Sequence, residues 1–151
     1  MKLKPYFLLS AILFITTSLW SQKGMSRFEE LKAWKLNYII ENTSLTSEEI
    51  EVYKCIFEEY ENSYHNEIWM KVQEIRKGIR QSLDTISTFS AASYINDFDS
   101  YEIKGLQMKH QRNEKLLKKI RPKQVLLILY QEKRFDKELL NRIKNKPKKE
   151  Q

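Results

Sequence analysis

Leu45-Thr46-Ser47-Glu48-Glu49-Ile50 is the stretch that decides the fold. Thr46 can cap a helix by accepting the amide of Glu49, whose carboxylate reaches back to the cap, and Leu45 and Ile50 can close over it as a hydrophobic staple. A helix therefore begins here. Downstream, Tyr53, Phe57, Tyr60, Tyr64, Ile68, Val72, Ile75, Ile79 and Leu83 follow Ile50 at spacings of three and four, one apolar stripe with no proline in it. Gly78 is its weak point, costing about 1 kcal/mol against alanine and marking the place for a bend.

Upstream, Phe28, Leu31, Trp34, Tyr38 and Ile39 predict a shorter helix from about Ser26 to Asn42. A third helix follows the Ser/Thr-rich turn from Thr85 to Ser90, with Tyr94, Ile95, Phe98, Tyr101, Leu106, Leu116, Leu117 and Ile120 as its expected buried positions. Between Gly105 and Glu114 its apolar pattern thins, which allows a polar helix or a local break. Pro122 suits the first turn of a fourth helix, where its missing N–H has no partner to lose. Val125, Leu126, Ile128, Leu129, Phe135, Leu139 and Ile143 supply its buried side. No useful strand alternation occurs, and three glycines and three prolines in 151 residues argue for few, long elements. The fold class is all-α, four helices with two of them long.

The N-terminus carries a different signal. Lys2 and Lys4 precede an apolar run from Tyr6 to Ile15, and small polar residues then lead to Gln22, the layout of a secretory signal peptide. Residues 1–22 are expected to be removed, placing the chain in the periplasm; an uncleaved inner-membrane anchor is the alternative. Cleavage takes two lysines and no acid, lowering the net charge from +7 to +5 and leaving 129 of the 151 residues, enough for one helical domain, residues 23–145, and a short tail. A basic intracellular protein would suggest nucleic acid, but export argues against that partner. Lys144, Lys146, Lys148 and Lys149 concentrate charge in a tail whose residues 146–151 are expected to be disordered, with contact to a membrane surface as their candidate role.

No catalytic arrangement is present. No glycine-rich phosphate loop or nucleophile elbow occurs, so an enzyme is not expected and no cofactor is implied. His65 and His110 are the candidate metal ligands, each with a glutamate four residues away, Glu61 and Glu114; such pairs are more often ion pairs on one helix face. Cys55 has no internal partner and is a buried hydrophobe, a free thiol or a link between chains. Asn42-Thr43-Ser44 matches the short glycosylation pattern. Val52, Ile56, Trp69 and Met70 lie beside or opposite the long stripe. Either a second helix or a dimer partner covers them, or they form an apolar surface for partner chains.

Leu45-Thr46-Ser47-Glu48-Glu49 at the second helix and Ile120-Arg121-Pro122-Lys123-Gln124 at the last resemble the two Leu-Thr-x-x-Gln repeats of the Spy/CpxP superfamily of periplasmic proteins. The first copy has Glu49 for glutamine; the second keeps Gln124 but has Ile120 for leucine and Arg121 for threonine. The run from Val125 to Leu140 is similar to the last helix of a bacteroidetal branch labelled "sensor of ECF-type sigma factor". The resemblance implies a bent helical hairpin with flanking helices, often a homodimer, acting without ATP. It implies as partners unfolded or envelope proteins, or a membrane stress sensor or anti-sigma factor. It assigns Leu45, Thr46, Glu49, Ile120, Pro122 and Gln124 to helix starts and not to an active site. The leading expectation is a chaperone-like or stress-signalling partner; a metal-responsive sensor and a structural envelope component are the alternatives.

Overall fold

The computed structural model describes residues 26–145, and the signal-peptide reading of residues 1–22 and the tail 146–151 lie outside them. The chain divides into two units, Met1–Leu31 and Lys32–Gln151. In the first, Ser26 Oγ accepts the amide of Glu29 at 3.2 Å and caps the helix opening there. All described secondary structure is helical: α1 (Arg27–Glu41), α2 (Ser47–Tyr64), a π-turn (His65–Trp69), α3 (Met70–Ser82), α4 (Thr88–Leu117) and α5 (Pro122–Lys144). Because α2, the π-turn and α3 run on without a break, these make four rods, as the sequence predicts. No described helix is long and apolar enough to cross a membrane.

The helix ends follow local chemistry. Thr46 and Glu49 form both halves of the expected capping box, Ser87 caps α4 by accepting the amide of Ser90 at 3.1 Å, and Pro122 opens α5. The irregularity in the long rod falls at His65–Trp69 and not at Gly78. Tyr60, Tyr64, Ile68 and Val72 are spaced by four three times over. In an uninterrupted α-helix such a row drifts steadily around the axis, because a turn holds 3.6 residues. The wider turn, with Met70 N–H reaching His65 O, holds one more residue and returns Ile68 to the buried side. Gly78 answers a close approach instead: a Cβ there would lie 2.8 Å from the Tyr94 hydroxyl.

Within the second unit the core joins Ile39 of α1, Tyr53, Ile56 and Phe57 of α2, Leu116 of α4, Ile120, and Val125 and Ile128 of α5. Phe135 adds an aromatic cluster with Trp34 and Tyr38, at centroid distances of 4.6 and 5.5 Å. α4 packs along α2 and α3 as the second arm of a hairpin. α4 is continuous through the stretch where its apolar pattern thins. Its inward row runs Tyr94, Phe98, Tyr101, Gly105, Arg112, Leu116, so a glycine and an arginine occupy two inward slots and hide the periodicity. Ile95, Leu106 and Leu117, expected to be buried, are exposed, as are Leu83, Leu126 and Ile143, because each lies off the row that faces its neighbours.

Candidate functional site

The stretches opening α2 and α5 meet in space. Arg121 Nε and Nη2 donate to Glu49 Oε1 and Oε2, both at 2.8 Å, and the Arg121 amide donates to Oε1 at 3.3 Å. Oε2 also accepts the Thr46 amide at 3.0 Å. One carboxylate therefore closes the cap of α2 and holds the chain entering α5. The Arg121 guanidinium and then the Thr46 amide hold the Glu49 carboxyl down at about 2. Leu45 packs on the core, Ile120 is part of it, and Gln124 is buried in the first turn of α5. Each of these residues lies at a helix start or on the core beside it.

A second polar group lies inside the hairpin. Arg112 donates from Nη1 and Nη2 to the two oxygens of Glu132 at 2.8 and 3.0 Å, with both side chains buried, and Asn113 Oδ1 accepts from its Nε and Nη2. The guanidinium lies 4.6 Å from the ring centre of Tyr60. Burial pushes the Tyr60 hydroxyl up to about 12 against the pull of Arg112. Lys35 meets Glu61 at 2.6 Å and Lys32 meets Asn62 at 2.8 Å, tying α1 to the end of α2. No local pattern announces Arg112 and Glu132, since the two lie on different helices, 20 residues apart.

Beside this pair, the π-turn and α4 leave an open groove of about 430 Å³. Tyr60, Tyr64, Ile68 and Val72 form one wall, and Phe98, Tyr101, Gly105 and Leu106 the other, with Arg76, Glu102 and Lys109 at the rim. Gly105 gives the groove room for the Tyr64 ring, whose Cε2 would stand 3.2 Å from a Cβ at that position. Arg76, Lys109 and Glu102 make no ion pair among the described residues, so the rim carries a net charge of +1 over these three side chains beside the aromatic walls. The stripe of tyrosines is visible in the sequence; the groove depends on the facing row of α4.

The four residues set apart as a candidate partner-binding surface divide. Trp69 and Met70 are exposed, at 46% and 42%. Ile56 is not: at 7% exposure it belongs to the core, because α2 is packed on more than one side and turns that residue toward its neighbours. Val52 is half-buried against the same cluster. His65 stacks on Trp69, with ring centres 4.9 Å apart and planes 16° from parallel, and His110 lies 3.6 Å from Glu114. Among the described residues no group of three or more His, Cys, Asp or Glu side chains is placed to hold a metal, so the two histidines are not brought into a ligand set. Cys55 is exposed and makes no disulfide, which removes the buried-hydrophobe reading.

Comparison with protein-family models, curated proteins and solved structures finds no match to this chain. The Spy/CpxP resemblance rests on the quoted stretches of sequence alone.

Proposed function

We propose that this chain is an exported, non-enzymatic helical protein that binds other polypeptides in the periplasm, as an ATP-independent chaperone-like protein or an envelope-stress-sensing partner. The observation that carries the reading is the aromatic groove between the π-turn and α4, with Arg76 and Lys109 unpaired at its rim. Apolar grooves of this kind mark binding surfaces, and its openness suits a client held loosely along its length. The tyrosines offer large contact area with few rotors to immobilise. The cations speed encounter with acidic segments, a contribution that salt weakens. The likeness to the Spy/CpxP motifs agrees with this reading.

The test is an aggregation assay of a chemically denatured, unrelated protein with increasing amounts of this chain and no ATP. Suppression at near-stoichiometric ratios supports a chaperone. A folded, helical sample that leaves aggregation unchanged shifts the reading to a dedicated signalling partner, to be sought by pull-down from envelope extracts.

A further inference from the structure

The far end of the hairpin differs from its body. In the body, Lys32, Lys35, Arg112 and Arg121 each have a charged or amide partner. On α3, Lys71 pairs with Glu74 at 3.0 Å, while Arg76, Lys77 and Arg80 make no ion pair among the described residues. None of the α3 residues is buried. Arg76, Arg80 and Leu83 are spaced by four and three, which sets them on one face, and Leu83 keeps helical dihedrals at φ −55° and ψ −41°. Leu83 is 63% exposed, and Phe89, in the first turn of α4, is 85% exposed. Burial in the fold explains neither side chain.

From this juxtaposition we propose that the α3–α4 tip docks on an anionic lipid surface, with Leu83 and Phe89 entering the headgroup boundary and Arg76, Lys77 and Arg80 facing the lipid phosphates. The charges decide the partner. Against these three cations the turn itself sets only Asp84, a net of +2 over those four side chains, which complements an anionic surface. The shape favours a bilayer over a peptide: Leu83 and Phe89 do not line the groove described above, and a side chain projecting from a helical turn gives a peptide no walls to lie between. A bilayer yields around a projecting apolar group, and basic side chains beside it add attraction to anionic headgroups. The surface is separate from the polypeptide groove, except that Arg76 belongs to both.

The test reads the tip itself in the full chain. An environment-sensitive dye is attached through Phe89→Cys in a Cys55→Ser background and, for comparison, to the exposed native Cys55. Phosphatidylglycerol-containing vesicles should shift the emission of the tip label to the blue and leave the Cys55 label unchanged. Phosphatidylcholine vesicles should shift neither. Replacing Arg76, Lys77 and Arg80 by Gln should weaken the lipid dependence of the tip signal roughly a hundredfold, and Leu83→Ser should reduce the shift. Helical content should stay the same in every variant, since all the altered side chains are exposed. No shift on anionic vesicles, an equal shift on neutral ones, an equal shift at Cys55, or a response to polyglutamate in place of vesicles would each overturn the proposal.

Discussion

Arg121 grips Glu49 across 72 positions of sequence, its Nε and Nη2 donating to the two oxygens of one carboxylate at 2.8 Å each. Set beside the Leu-Thr-x-x-Gln repeats that the two stretches resemble, Glu49 stands for glutamine and Arg121 for threonine. The departures meet as an acid and a base, so each makes sense in the presence of the other.

This pair predicts an acid-sensitive fold. The Glu49 carboxyl is lowered from 4.5 to about 2 in the folded chain, so its contribution is complete above pH 4.5 and is lost as pH falls toward 2. Glu49→Gln should lower the thermal midpoint at neutral pH, and the gap between variant and parent should close through that same window. Circular dichroism melts at a series of pH values check this. Glu49→Gln with Arg121→Thr should cost less than the two single changes added together, because the partners are in direct contact.

The Arg112–Glu132 pair predicts a different pattern. Both side chains are buried, so Glu132→Ala leaves a cation without compensation and should cost about 3 to 5 kcal/mol in urea unfolding. Arg112→Met with Glu132→Leu removes both charges and should recover most of that loss, since a buried ion pair offsets little more than its own desolvation. A double variant as unstable as the single one would mean that Arg112 is needed for its contact with Tyr60 or Asn113 as well.

The helix starts at Thr46 with Glu49 and at Pro122 are legible because each is set by two or three adjacent residues; the third is not, because the stretch from Thr85 to Ser90 offers several hydroxyls and Ser87 is the one that caps α4, two to three residues earlier than the turn reading implies. The π-turn was written only in the repeated spacing of four from Tyr60 to Val72, which is also compatible with an ordinary helix. The groove and the Arg112–Glu132 pair were not legible, because each needs two rows from different helices in register. For Ile56 the angle around the helix leaves two outcomes open, cover by a neighbour or an apolar surface, and the first holds because α2 has neighbours on more than one side. Arg112 and Gly105 fill inward slots of α4 with residue types that an apolar pattern does not count.

Gly78 offers a gain in stability. Alanine in a helix interior is favoured over glycine by about 1 kcal/mol, and the obstacle is the Tyr94 hydroxyl, 2.8 Å from the new Cβ, with the ring carbon Cζ at a comfortable 3.5 Å. Gly78→Ala alone should therefore stabilise the chain by less than about 1 kcal/mol, because the tip of Tyr94 must move. Adding Tyr94→Phe removes that tip, and the pair should show the larger part of the propensity gain in urea unfolding. Loss of stability in the double variant would show that the rods cannot accept a Cβ at this crossing.

Trp69, Met70 and Ile56 separate binding from folding. Trp69→Ser and Met70→Ser alter partly exposed side chains and should each cost less than the loss of a buried core side chain, with Trp69→Ser also losing its stack on His65. Trp69 and Met70 do not line the groove; if the client surface extends past the groove onto them, the same changes should raise the amount of chain needed to suppress aggregation of a denatured client. Ile56→Ala removes atoms from the core and should cost about 2 to 5 kcal/mol, yet whatever fraction remains folded should suppress aggregation as well as the parent does. Normalising suppression to the folded fraction, measured by circular dichroism on the same samples, distinguishes the two. An Ile56→Ala protein that is fully folded and deficient in suppression would return that side chain to the binding surface and contradict its place in the core.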